Sequence, residues 1–89
     1  MNTADRKRFK ALAHSLKPVV MIGQAGLTAA VMQEIEIALD SHELIKIRIR
    51  AEREERDSIS AQICAQTHAE LIQKIGQIST LYRLNPDKN

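Results

Sequence analysis

The sequence predicts an α/β fold, a two-layer sandwich in which helices pack on a mixed four-stranded sheet. Two observations carry this prediction. Apolar residues change along the chain between helical and strand spacing, in the order α-β-α-β-α-β-β. A helix separates each of the first three strands, whereas only Gly76-Gln77 separates the last two, so crossover connections should precede a final hairpin.

The first helix is predicted over residues 4–16. Its apolar residues have the spacing of one helical face and are Phe9, Leu12, Ala13 and Leu16. The opposite side of this helix and the residue after it carry Lys7, Lys10, His14 and Lys17. Pro18 prevents the helix from continuing, because its ring disfavours a helical conformation at the preceding residue.

Residues 19–22 are predicted to form a short strand, buried on both faces because no polar residue alternates with the apolar ones. A Gly-x-x-Gly loop follows at residues 23–26, and Thr28 is the predicted N-cap of a second helix that ends near His42. Loop amides beside a helix N-terminus favour an anion, most often phosphate. The glycine pair alone is a weak signal, since a plain strand-to-helix turn has the same residues.

Residues 43–51 are predicted to be the second strand. Three isoleucines alternate there with three cations, in the order Ile45-Lys46-Ile47-Arg48-Ile49-Arg50. Because strand side chains point alternately to opposite faces, the isoleucines should be buried and the cations exposed. A row of like charges is unfavourable unless it is solvated or neutralised, and phosphates would neutralise it.

The remaining elements are a third helix over residues 54–67 and two strands over residues 71–75 and 78–84. The first turns of this helix are acidic, which its dipole favours. At 89 residues the chain is a single domain, predicted over residues 1–85, and residues 86–89 are predicted to be a short flexible tail.

The net charge of +2 hides a strong segregation of charge. The net charge is +4 over residues 1–26, −4 over 27–43, +3 over 44–53, −3 over 54–70 and +2 over 71–89. Such blocks can build a basic face, which is the electrostatic feature of a nucleic-acid-binding protein. Alternation of charge between solvated elements is the other explanation.

Composition disfavours disordered, membrane-spanning and secreted proteins. Hydrophobic residues make up 44% and charged residues 27%, as in ordinary folded domains, and no apolar run approaches the length of a membrane span. The first residues lack the apolar segment of a signal peptide, and the single Cys64 is compatible with a reducing compartment. We therefore expect a cytoplasmic protein with no membrane partner. A monomer is a separate expectation, which composition does not determine.

Candidate catalytic and metal-binding residues are sparse. The three histidines lie on separate elements, and Cys64 with His68 supplies at most half of a metal site. We expect no enzymatic activity, no cofactor, no metal and no small-molecule substrate. Phe9 and Tyr82 are the only aromatic residues, which disfavours RNA recognition by aromatic stacking.

Three segments of the chain resemble the CRM domain, named for chloroplast RNA splicing and ribosome maturation. They are residues 17–28 (KPVVMIGQAGLT), 42–47 (HELIKI) and 81–83 (LYR). The resemblance covers essentially the whole chain, and the single-domain length is similar to that of the bacterial YhbY-type members.

The resemblance implies a fold similar to the C-terminal domain of bacterial translation initiation factor three. It also implies RNA binding through the GxxG loop and a neighbouring basic surface, and a role in ribosome biogenesis. The implied partner is ribosomal RNA in precursors of the large ribosomal subunit, with large-subunit assembly as the process. Carried over to this chain, the RNA-binding residues are Gly23, Gln24, Ala25, Gly26, Lys7, Lys10, Lys17, Lys46 and Arg48.

Two segments depart from the family pattern, since the pair Gln24-Ala25 and the single residue Gln77 are uncharged where a base is frequent. Most of the electrostatic attraction is therefore expected from the first helix and the second strand. The alternative function is a protein–protein adaptor that docks on a ribosomal protein or GTPase through its acidic second helix, with Glu34, Glu36 and Asp40 as contact residues.

Overall fold

We describe residues 1–86 of the chain in a computed structural model. The elements follow the predicted order and are α1 Thr3–Ala13, β1 Pro18–Ile22, α2 Ala29–His42, β2 Leu44–Ile49, α3 Arg53–Thr67, β3 Glu70–Ile75 and β4 Ile78–Tyr82. Most of the predicted tail, residues 87–89, lies outside the described residues. None of the three helices in the described part of the chain is long and apolar enough to cross a membrane.

The four strands form one mixed sheet, which confirms the predicted α/β class and the predicted four-stranded sheet. Their order is β1-β2-β4-β3, with β1 parallel to β2 and the other neighbouring pairs antiparallel. The crossover through α2 makes the first pair parallel, and the turn at Gly76 closes the β3–β4 hairpin with a positive φ of 56°. β1 and β3 are therefore the two edges of the sheet.

The core lies between one face of the sheet and the helices α2 and α3. Ile45, Ile47 and Ile49 are completely buried on this face, as the alternation in the sequence predicts. The helices contribute the buried side chains of Ile35, Leu39, Ile59 and Ile63. Each such side chain stabilises the fold by roughly 2–3 kcal/mol through removal from water.

Helix α1 lies on the opposite face and covers only one end of it. The Phe9 ring stacks on that of Tyr82 with a centroid distance of 4.1 Å. Tyr82 is paired with Leu44, the first residue of β2, and so belongs to the end of the sheet where β2 begins. The Arg6 side chain fixes α1 further by donating from Nη1 to the carbonyl oxygen of Leu71 at 2.6 Å.

The prediction that the first strand is buried on both faces is wrong. Val20 and Ile22 face the core, whereas Val19 is 53% exposed and Met21 is 56% exposed. The reason is that β1 is an edge strand and α1 does not cover it. The first helix also ends at Ala13, before the predicted residue 16, so Leu16 lies beyond it and is exposed.

Arg83 joins α2 to the ends of α3 and β4. Its guanidinium donates to Glu36 Oε2 at 2.9 Å, to Asp40 Oδ1 at 2.8 Å and to the carbonyl oxygen of Thr67 at 3.0 Å. Desolvation lowers the pKa of Arg83, but the hydrogen bonds and charges of Glu36 and Asp40 outweigh it and leave the pKa above its ordinary value. The hydrogen-bonded structure extends to Asn85, whose backbone N–H donates to Glu43 Oε2 at 2.8 Å.

Candidate nucleic-acid interface

The loop of residues 23–26 lies where β1 and β2 end. Because these strands are parallel, their carboxyl ends meet at one edge of the molecule. Ile22 pairs with Ile49, and the backbone N–H of Arg50 donates to the carbonyl oxygen of Ile22 at 2.9 Å. The residue that follows β2 is thereby fixed beside the start of the loop.

The loop itself is a tight turn. The backbone N–H of Gly26 donates to the carbonyl oxygen of Gly23 at 3.0 Å, and Gly26 has a φ of +75°, which side chains disfavour. The N–H groups of Gln24 and Ala25, in the middle of the turn, make no hydrogen bond to any of residues 1–86, and both residues are exposed. Gly26 therefore sets the conformation of the turn, and Gln24 and Ala25 supply backbone N–H groups that are available to donate hydrogen bonds.

Gly23 is not required by packing within the protein. A Cβ atom at this position would meet nothing within 4 Å, and its φ is outside the left-handed region. The bare backbone at Gly23 leaves the approach to the turn open from solvent.

The N-terminus of α2 adds a second attraction for anions at the same place. Thr28 is the N-cap, as predicted, and its Oγ1 accepts from the backbone N–H of Val31 at 3.1 Å. The first turn contains no acidic residue, so the positive end of the helix dipole is not neutralised there. Ala29 and Ala30, also in this turn, are exposed.

A cleft beside the loop contains a cation that the sequence-based site did not include. It is lined by Gly23, Gln24, Arg50, Ala51, Glu52 and Gln77. Arg50 could have been identified from the sequence, because it continues the alternation of Lys46 and Arg48 to the strand end that adjoins the loop. Glu52 reduces the positive potential in this cleft.

Two of the predicted cations lie on the sheet face turned away from the core. Arg48 is exposed and lies opposite Met21, two residues before the loop. Lys46 is half-buried and lies opposite Pro18, nearer the other end of β1. Arg48 is therefore the closer of the two to the loop.

The other predicted cations lie at the far end of the molecule. Lys7 and Lys10 are exposed on α1, which crosses the end of the sheet opposite the loop. Lys17 precedes β1, and at the rise of a strand it lies about 20 Å from Gly23. The structure thus brings together the loop, Arg48 and Arg50, while Lys7, Lys10 and Lys17 form a separate basic region.

Reactive groups of other kinds are not assembled in the described residues. Burial and, to a smaller extent, the charge of Glu70 raise the pKa of the Cys64 thiol, which keeps it protonated near neutral pH. No three His, Cys, Asp or Glu side chains in residues 1–86 are grouped so as to hold a metal ion.

The sequence of residues 1–83 matches the model of the CRS1/YhbY (CRM) domain, and the chain belongs to this family. A probable RNA-binding protein of Pseudomonas aeruginosa is 44% identical over 86 residues, which is 96% of this chain and 83% of the relative. An RNA-binding protein of Haemophilus influenzae is 46% identical over 84 residues, which is 93% of this chain and 85% of the relative.

A solved structure has the same fold. The solution structure of a hypothetical protein from Staphylococcus aureus superposes with a TM-score of 0.85 and covers 100% of this chain and 94% of its own. The two sequences are 23% identical, so this likeness concerns the architecture alone.

Proposed function

We propose that this protein binds RNA, and that its target is ribosomal RNA in precursors of the large ribosomal subunit, where it acts as a cytoplasmic, non-catalytic assembly factor. The observation that carries the proposal is the turn at residues 23–26. Two backbone N–H donors without partners among residues 1–86 lie there beside an uncompensated helix N-terminus and Arg50. The relatives named as RNA-binding proteins support the same class of ligand.

The turn would hold one phosphate of an RNA strand. The N–H groups of Gln24 and Ala25 would donate to its oxygens, and the N-terminus of α2 would add the attraction of its dipole. Arg48 and Arg50 would neutralise the neighbouring phosphates. Lys7, Lys10 and Lys17 would contribute only where the RNA is long enough to reach the α1 end of the molecule.

Salt dependence tests the electrostatic part of the proposal. Engagement of four to five phosphates of single-stranded RNA predicts that the logarithm of the binding constant falls with the logarithm of salt concentration with a slope of roughly −3 to −3.5. Fluorescence anisotropy of a labelled oligoribonucleotide at several salt concentrations measures this slope. A slope near zero would contradict phosphate binding.

The ribosomal target rests on the resemblance to YhbY-type proteins and needs a test in cells. Crosslinking of the protein to RNA, followed by sequencing of the bound fragments, should recover large-subunit ribosomal RNA with unprocessed ends. Recovery mainly of messenger or transfer RNA would show that the protein binds RNA but has another target.

The adaptor function receives less support from the contacts of α2. Two of its three proposed acidic contact residues, Glu36 and Asp40, are already bound by Arg83 at 2.9 and 2.8 Å. A partner that used them would have to compete with this internal ion pair. The acidity of α2 is thus accounted for in large part by the fold itself.

A further inference from the structure

One transverse row of the sheet presents large apolar side chains to solvent. Met21, Arg48, Ile78 and Ile75 are directly opposite one another on the four neighbouring strands. Their faces follow from the register, because the residues next to them, Ile22, Ile49 and Ser79, are buried on the core side. At strand spacing this row is about 14 Å wide, and we call it the open row.

The open row is not covered by any described element. Helix α1 lies over the other end of this face, on Tyr82 and the start of β3. Ile75 is 64% exposed and Met21 is 56% exposed, although both are on strands whose alternate residues pack in the core. Ile75 and Ile78 are adjacent, and Arg48 separates them from Met21. Exposed apolar side chains grouped in this way with polar neighbours are typical of a binding surface.

The polar groups of the open row and of the row next to it are cationic or neutral. The next row towards α1 consists of Pro18, Lys46, Thr80 and Gln73, so neither row contains a carboxylate. The side chains of Lys46 and Arg48 form no hydrogen bond or ion pair with any of residues 1–86. Glu70 on β3 lies at the α1 end of this face, 3.9 Å from the guanidinium of Arg6.

This combination fits an unpaired RNA strand better than a second copy of the chain. Nucleobases have flat apolar faces, and each is attached to a phosphate that Lys46 or Arg48 would neutralise. Arginine also stacks its planar guanidinium on a base. A second copy would bring its own Lys46 and Arg48 against the same cations, which is repulsive.

We propose that the open row is a platform for unpaired nucleobases of the RNA strand whose phosphate is held at residues 23–26. Met21, Ile78 and Ile75 pack against the base faces, and Arg48 stacks between them at the centre of the row. Lys46 and Gln73, which are half-buried and line a cleft together with Ile75, Ile78 and the buried Thr80, reach the base edges. The inference rests on the proposed RNA binding and adds to it a preference for single strands.

The test uses two probes that share their phosphates and differ in their bases. One is a short single-stranded oligoribonucleotide, and the other is an abasic oligomer of the same length. The double variant Met21→Gln, Ile75→Thr should bind the oligoribonucleotide about fivefold more weakly and the abasic oligomer with unchanged affinity, with the salt slope preserved. Ile37→Thr is the matched control, because Ile37 is also largely exposed, at 58%, but lies on α2.

Each other outcome overturns the proposal. Equal weakening for both probes would mean that the double variant acts through the fold or the phosphates, and thermal melting would distinguish these two causes. Unchanged binding of the double variant to both probes would show that the open row does not contact RNA, and the loop would remain as the RNA contact. Self-association of the wild type that the double variant abolishes, with RNA binding intact, would assign the row to a second copy. A wild type that binds neither probe would contradict the proposed function itself.

Discussion

The backbone N–H of Arg50 donates to the carbonyl oxygen of Ile22 at 2.9 Å, which ties the end of β2 to the last residue before the Gly-x-x-Gly turn. This hydrogen bond fixes the Arg50 backbone beside the turn of residues 23–26, whereas Lys7 and Lys10 lie on a helix at the other end of the sheet. The cation that lies beside the turn is therefore Arg50, the residue that follows β2.

Replacing Arg50 with glutamine should weaken RNA binding about fivefold and reduce the magnitude of the salt slope by about 0.7, the value for one phosphate of a single strand. The reason is the loss of one cation at the edge of the turn. Anisotropy titrations over a range of salt concentrations measure both quantities.

Arg8→Gln is the control for this change. It removes the same charge from an exposed side chain on α1, where Arg8 lies 3.8 Å from Asp5. Loss of affinity as large for Arg8→Gln as for Arg50→Gln would mean that only the net charge matters, and not the place of Arg50.

The two glycines of the turn should respond differently to a side chain. Gly23→Ala should leave the free energy of unfolding nearly unchanged, because the added Cβ meets nothing within 4 Å. It should nevertheless weaken RNA binding, since the methyl group stands where a phosphate approaches the backbone. Gly26→Val should lower the free energy of unfolding by roughly 1–2 kcal/mol, because its φ of +75° strains an L-residue, and should weaken binding as well.

Urea denaturation and RNA titration of both variants check this pair of predictions. A Gly23→Ala protein that is stable and binds RNA like the wild type would show that the turn does not contact the RNA.

Replacing Arg83 with methionine should lower the free energy of unfolding by about 1–2 kcal/mol, because it removes charge-assisted hydrogen bonds to Glu36 and Asp40 and leaves the Thr67 carbonyl without its donor. RNA affinity should not change, since Arg83 lies at the end of β4 remote from the turn. Urea denaturation measures the first effect and an RNA titration the second. An unchanged unfolding midpoint would mean that Arg83 does not join α2 to the rest of the fold.

Acid should remove a contribution to stability that depends on Asp57. The hydrogen bond from Lys74 Nζ, at 2.8 Å, is the main cause that lowers the pKa of Asp57 below its ordinary value of 3.8. A carboxyl with a lowered folded-state pKa stabilises the fold above its unfolded pKa and loses this effect as the pH falls through the folded value. Stability should thus decline below pH 3.8 more steeply in the wild type than in Asp57→Asn.

The urea midpoint, measured as a function of pH, compares these two proteins. Parallel acid limbs for wild type and Asp57→Asn would show that the ion pair with Lys74 is too solvated to affect folding.

Local sequence patterns predicted the helices and strands well, because these elements are determined largely by residues that are close together in the sequence. The alternation of Ile45, Ile47 and Ile49 with cations identified both β2 and its buried face, and Thr28 identified the start of α2. The same patterns do not say which element covers an apolar residue. Val19 and Met21 have the residue types of a buried strand, but the strand order places them at an uncovered edge.

Sequence patterns located only those parts of the candidate site that depend on neighbouring residues of the chain. The turn and Arg48 follow from adjacency along β1 and β2, which the parallel crossover brings together. The position of Lys7 and Lys10 depends on where α1 crosses the sheet, and this is set by long-range contacts such as Phe9 with Tyr82 and Arg6 with Leu71. No local pattern in the sequence encodes these contacts.

An NMR titration of the ¹⁵N-labelled protein with a short single-stranded RNA tests directly whether the turn at residues 23–26 contacts the RNA. If the turn holds a phosphate, the backbone amide signals of Gln24 and Ala25 should show the largest shifts, followed by those of Ala29 and Ala30 at the start of α2. Shifts confined to α1, with the amides of Gln24 and Ala25 unchanged at saturation, would contradict it.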